Sequence, residues 1–425
     1  MNFVLSLRTG MASLLLALAA HGGSAGVESD LDARLKAAPK DAAGLFTLGQ
    51  DLRRAGRFDA AVQTLRRAYF KTTKGEQAVA VRLEAARALI DAGKQKLALR
   101  ECASLKSVSM PMLWVCTAEA QLLWRRASLA LPLADKALEA EADNYDARVA
   151  RGRALEQMGK AAEADQEYRR AAAAQPKRYE AHLYRGQMLL QGSKREGIAA
   201  LRTARQSAPQ EPVPLLALGT ALGGTEAQKL LEQAIALRPT FGAAHARLGV
   251  VKHGLGDLAG AEQALLRALA LDAKQADWLA ALAAVLVDKG DAAGAIARAD
   301  AALKLVGNHA AAKLARADAL AQRGDIDLAI EAYEQAHGYA RTDPAPLLHA
   351  ARACAKNGRP TTARAFAERA TQDFPKWAPA WVVLADVQHA SGDRAAAKQS
   401  YKKALGAQSG TIDRARVARI LKSLR

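Results

Sequence analysis

The sequence predicts an all-α fold, a solenoid of about eleven helix-turn-helix units closed by a C-terminal capping helix. Three observations predict it. The 425 residues are 50% hydrophobic but only 5% aromatic, and Ala, Leu, Arg, Glu and Gln, which favour helix, dominate the rest. Pairs of small residues recur at intervals near 34: Leu48–Gly49, Ala85–Ala86, Thr117–Ala118, Arg151–Gly152, Arg185–Gly186, Leu218–Gly219, Leu248–Gly249, Leu282–Ala283, Arg316–Ala317, Ala350–Ala351 and Leu384–Ala385. Finally, the 31 glycines and 13 prolines are spread along the chain instead of gathering in a linker, as periodic turns require.

The elements follow in order. Residues 1–25 read as a signal peptide, with Arg8 as the basic start, Met11–Ala20 as the apolar run and small residues before cleavage after Ala25. Ten helical residues reach about 15 Å, half of a hydrocarbon core of about 30 Å, so removal is favoured over anchoring. Residues 26–41 form an N-terminal cap. Units begin near residues 42, 79, 111, 145, 179, 212, 242, 276, 310, 344 and 378. Within them one column reads Ala61, Ala98, Ala130, Ala164, Ala261, Ala295, Ala329, Ala363 and Ala397, and glycines such as Gly56, Gly159, Gly256 and Gly392 mark the turn between two helices. Prolines close several units (Pro176, Pro239, Pro375), because proline lacks the N–H a helix needs. Two places break the period. The stretch 106–111 predicts a distorted connection, and the sixth unit, only 30 residues long, predicts a shortened first helix and a kink that divides the array into 42–211 and 212–411. Residues 412–425, with Ile412, Ile420, Leu421 and Leu424 amid Arg and Lys, predict an amphipathic capping helix.

These units resemble the tetratricopeptide repeat, a 34-residue helix-turn-helix whose loose signature is W…L-G…Y…A…F…A…P. Trp381, Leu384, Ala385, Gly392, Ala397, Tyr401 and Ala404 match it in one unit, and Gly152, Gly159, Ala164, Tyr168, Ala171 and Pro176 in another. The resemblance covers residues 42–411 and implies a right-handed superhelical solenoid whose first helices line a concave groove.

The chemistry such a chain could perform is narrow. No Walker loop, nucleophile elbow, His-Glu-x-x-His or paired-carboxylate motif occurs, so no enzyme and no cofactor is expected. Gly223–Gly224–Thr225 lacks the Gly-Lys-Ser/Thr ending of a phosphate loop. His245 and His253 lie eight residues apart, about 12 Å along a helix, too far to chelate one ion. The three cysteines, Cys102, Cys116 and Cys354, make no disulfide framework. A bond between Cys102 and Cys116 stays open, with buried thiols the favoured reading.

Binding is the remaining class. By the resemblance, the exposed column of the first helices reads Gln50, Arg87, Glu119, Arg153, Gln187, Thr220, Val250, Ala284, Asp318, Arg352 and Asp386, beside an inward column that includes Leu183. The candidate partner-binding residues are Arg87, Glu119, Arg153, Leu183, Gln187, Val250, His253, Asp318, Arg352 and Asp386. They describe a semi-apolar groove for a peptide or helix of a partner protein. Relatives that grip chaperone C-terminal carboxylates use Lys and Asn here; this chain does not, so that activity is not implied. Lys and Arg total 61 against 43 Asp and Glu, a net +18. Much of that excess (Arg66, Arg67, Arg169, Arg170, Lys402, Lys403) falls on the second helices, the outer face. Acidic polysaccharide or an anionic membrane surface is therefore a second partner class. Nucleic acid is not expected, because no aromatics interleave the basic residues. The sequence thus reads as an exported, periplasmic or secreted, non-catalytic scaffold of the bacterial cell envelope, or else as a component of a polysaccharide assembly or export machine.

Overall fold

A computed structural model describes residues 25–424, apart from residues 38, 73, 74 and 108. Most of the expected signal peptide lies outside the described residues. Among them are 24 α-helices, one short 3-10 helix and no β-strand. No described helix is long and apolar enough to cross a membrane.

The helices keep the register of the repeat. First helices (A) begin at 42, 76, 110, 145, 180, 212, 242, 276, 310, 345 and 378, within three residues of the starts read from the small-residue columns. Each packs against the second helix (B) of its own unit. Local chemistry sets the boundaries. Asp41, Asn144, Asp257, Asp291 and Asp393 each accept a backbone N–H three residues ahead, at 2.7–3.1 Å, satisfying a donor that the helix start leaves unpaired. Between the helices of the seventh repeat, Gly254 ends helix A and Gly256 turns the chain with φ 84°, a left-handed conformation that a side chain disfavours.

Small residues at the A–B crossing are there for space. A Cβ placed on Gly249 would lie 2.6 Å from Leu265 Cγ and 3.0 Å from the Ala261 carbonyl oxygen. The same crossing in the fourth repeat would put a Gly152 Cβ 2.6 Å from the Tyr168 ring. Ala261, Ala268, Leu265 and Tyr168 are all fully buried, so no side chain there can swing aside into solvent.

Both irregular stretches are where the period breaks. Helix Gln95–Ala103 is short and runs into the 3-10 turn Ser104–Ser107 before Ser109 caps the next helix. This geometry brings Cys102 and Cys116 together as a disulfide, with their Cα atoms 5.5 Å apart. The favoured reading of two buried thiols is therefore corrected. The bond ties helix B of the second repeat to helix A of the third, while Cys354 stays a buried free thiol. The sixth repeat has a ten-residue helix A, Pro212–Ala221, joined to Gly224–Leu237 by only two residues.

The chain forms two compact units, one ending at Ala273 and the other beginning at Lys274; the sequence had suggested a division near residue 212. The first unit holds repeats 1 to 7 and the second holds repeats 8 to 11. In the second, a core built around Leu320, Tyr333, Leu347, Phe366 and Val383 runs through repeats 9 to 11. Helix Arg414–Ser423 closes that end: Val417, only 1% exposed, packs with Val382, Ala385, Tyr401 and Ala404. A terminal repeat has no following neighbour to cover its apolar face, and this helix takes that place.

Candidate functional site

In the first unit the inner face of the A helices lines a cavity of about 330 Å³. Its walls come mainly from the A helices of repeats 1 to 5 and from the loops that open repeats 5, 6 and 7. Arg53 stands 2.8 Å from Glu84 and 2.7 Å from Asp91. Arg87 reaches Asp146 at 2.9 Å and Glu119 at 3.7 Å, and Arg178 reaches Asp146 at 2.8 Å and Glu180 at 3.1 Å. Arg178 also lies over the Tyr145 ring at 3.9 Å, a favourable cation–π placement.

Burial and pairing compete at these groups. Burial alone would lower the Arg53 and Arg87 guanidinium values, but the facing carboxylates hold both well above the ordinary range. Burial would likewise raise Asp146, and Arg87 with Arg178 override it, so its carboxyl sits low. Glu119 goes the other way: burial dominates Arg87 across the longer 3.7 Å gap and pushes it up. Desolvation is costly for each charge, and mutual pairing is what offsets it.

A long-range contact lies beside the cavity. Thr240 Oγ1, in the loop that opens repeat 7, donates 2.8 Å to the Ala55 carbonyl at the end of helix A in repeat 1. Arg54 and Glu211 approach at 3.5 Å beside it. Repeats 1 and 7 therefore meet, although 185 residues separate the bonded pair.

The candidate residues divide accordingly. Arg87, Glu119, Arg153, Leu183 and Gln187 all line this cavity. Val250, His253, Asp318, Arg352 and Asp386 do not. Here the wall is a lattice of ion pairs interleaved with Val149, Leu183 and Tyr184. Position-by-position reading missed Arg53, Asp91, Arg178 and Arg238, because they sit at helix ends and in loops outside the two columns. The signal that was there to be used is the opposite charge of Arg53 and Asp91 at the C-terminal ends of successive A helices.

In the second unit the same column is used differently. Asp318 accepts from the Tyr333 hydroxyl at 2.7 Å and pairs with His349 Nδ1 at 2.9 Å. Asp386 accepts from Tyr401 at 2.5 Å and from Arg416 of the capping helix at 3.0 Å. Burial, reinforced by the adjacent carboxylate, raises both tyrosine hydroxyls well above their usual value. Arg352 is exposed, and no carboxylate among the described residues lies within ion-pair reach of it. Among the described residues, no three His, Cys, Asp or Glu side chains gather to hold a metal ion.

The profile of the tetratricopeptide repeat matches residues 46–106, 149–212, 224–285, 280–345, 320–387 and 378–410. The chain belongs to this family and is a protein–protein interaction scaffold. No curated protein sequence matches it. Similar solved structures include yeast Tom70 (12% identity, 90% of this chain and 95% of that one, TM-score 0.45) and the APC/C hetero-tetramer Cut9-Hcn1 (13%, 93% and 92%, 0.48). A tetratricopeptide repeat protein from Parabacteroides merdae is similar at 14% identity over 66% of this chain and 98% of that one, with TM-score 0.42.

Proposed function

We propose that the chain is an exported, non-catalytic scaffold of the bacterial cell envelope, and that repeats 8 to 11 hold a peptide or helix of a partner protein against their A helices. The observation that carries this reading is the contrast within one column. In repeats 2 and 3, Arg87 and Glu119 are held by neighbours inside the cavity. In repeat 10, Arg352 is exposed and outside any ion pair among the described residues. A charged side chain at such a position is available to fix the register of a bound segment, with specificity as the main gain.

Export is supported by the basic start and short apolar run of residues 1–25 and by the Cys102–Cys116 disulfide. Such bonds persist in oxidising compartments such as the bacterial periplasm.

The test is capture of partners from a periplasmic extract with the full chain, identified by mass spectrometry. A partner retained by the wild type and by Arg66→Glu, but depleted at least tenfold by Arg352→Glu, is the expected result. Equal retention by both variants contradicts the placement on repeats 8 to 11, and recovery only from cytoplasmic extract contradicts the envelope reading.

A further inference from the structure

Two arginines in the wall of the first unit's cavity, Arg153 and Arg238, have no carboxylate within ion-pair distance among the described residues, and Arg238 is the one with a buried, unused donor. It follows helix Gly224–Leu237, lines the cavity, and lies over the Phe241 ring at 4.9 Å. Its Nε is buried with no hydrogen-bond partner. Arg53, Arg87 and Arg178 each face two carboxylates, whereas none among the described residues lies within ion-pair distance of Arg238.

We propose that this cavity is a binding site for a small molecule bearing an oxyanion, carboxylate or phosphate, which Arg238 receives. Three observations support it. The volume, about 330 Å³, falls at the small end of the roughly 300–1,000 Å³ typical of small-molecule sites. The guanidinium is a planar fork with five donors suited to two-point contact with a carboxylate or phosphate, and here one of those donors is buried and unused. Leaving a buried guanidinium N–H without an acceptor is costly, and an incoming anion would remove that cost. The Arg238 value supports the geometry: burial draws it below the usual guanidinium range, with Asp91 and Glu211 only partly offsetting this. The remaining wall sets the rest of the ligand. Phe241 and Tyr179 offer flat apolar surface near the cation, and the paired charges elsewhere favour a body carrying hydroxyl or amide groups. This inference does not depend on where a protein partner binds.

Isothermal titration of the full chain with inorganic phosphate, pyrophosphate and succinate, at fixed ionic strength in chloride, tests the site. The expected result is saturable one-to-one binding of at least one probe, weakened at least tenfold in Arg238→Gln and unchanged in Arg67→Gln, an exposed position on an outer helix. Binding of phosphate or pyrophosphate without succinate assigns a phosphate ligand, and the reverse a carboxylate. A second measurement needs no variant: the bound anion should protect Arg238 of the wild-type chain from phenylglyoxal, read by mass spectrometry, while Arg352 stays reactive. Absence of saturable binding, equal affinity in Arg238→Gln, or protection of Arg352 to the same degree overturns the proposal.

Discussion

Repeats 1 to 7 and repeats 8 to 11 are written in the same 34-residue frame, yet they use the inner face of the A helices in opposite ways. In the first unit the charges there answer one another across repeats: Arg87 of repeat 2 pairs with Asp146 of repeat 4, skipping a unit. In the second, the carboxylates turn inward to groups beside them, Asp318 to Tyr333 and Asp386 to Tyr401, and the cation Arg352 is left outside any pair among the described residues. A repeat array is expected to be quasi-one-dimensional, with each unit touching only its neighbours. The second unit can be built that way. The first adds contacts at long sequence separation, ending in the Thr240–Ala55 bond, and its inner wall lines a cavity.

The largest effect that would sharpen this contrast comes from removing one cation on each side. Arg87→Leu leaves Glu119 and Asp146 facing each other without their shared partner, which should cost about 3 kcal/mol or more. Arg352→Leu should cost under about 0.5 kcal/mol, as an exposed substitution does. Chemical denaturation followed by hydrogen exchange, which separates the two units, reads both; equal costs would erase the distinction. Next in size is the disulfide. Cys102 and Cys116 close a loop of sequence separation 14, for which chain entropy predicts about 3 kcal/mol. Reduction should therefore lower the protection of repeats 1 to 7 and leave repeats 8 to 11 unchanged.

Smaller still is overpacking at a crossing. Gly249→Val drives a methyl into Leu265 and the Ala261 carbonyl, at about 1–3 kcal/mol, and thermal unfolding should show it. If that variant melts with the wild type, the assignment of the small-residue column to the crossing fails.

The smallest effect is a pH dependence confined to the second unit. Burial lowers His349, but the hydrogen bond that its Nδ1–H donates to the Asp318 carboxylate outweighs it and raises its value above the ordinary 6.5 or so. A raised folded value means the stabilisation is complete below about pH 6.5 and is lost as pH rises through the folded value. The ring is 40% exposed, so solvent screening keeps the gain under about 1 kcal/mol. Stability of the wild type should fall from pH 5.5 to pH 8 more than that of His349→Gln, measured by urea midpoints; parallel profiles would remove His349 from the account.

What the sequence made legible follows from the range over which its pattern speaks. Small residues at 34-residue intervals report on helices that touch within a repeat and between adjacent ones, so the helix starts could be read directly, and the apolar Ile420 and Leu421 marked the capping helix, although Val417, its most buried residue, was not singled out. The pattern also located both irregular stretches, since a missing residue or a displaced proline shifts the frame. It was silent on the closure of the first unit, because the Ala55–Thr240 contact depends on curvature summed over six repeats. It was also misleading about the cavity wall: one column of residues shows Arg87 and Glu119 as scattered charges, and only the fold brings Asp146, Arg178 and Arg53 to them. For Cys102 and Cys116, spacing allowed a bond, and what decided it was the 3-10 turn that shortens their connection.

The claim on which the account rests is that repeat 1 and the start of repeat 7 meet. Cysteines introduced as Ala55→Cys and Thr240→Cys in the full chain test it most directly, by trapping with a short thiol-to-thiol crosslinker and mapping by mass spectrometry. The account predicts near-complete crosslinking at Ala55–Thr240 and none above background for a control pair, Ala55→Cys with Arg169→Cys on an outer helix. Crosslinking of the first pair no faster than the control would contradict a closed first unit, and with it the cavity that Arg238 lines.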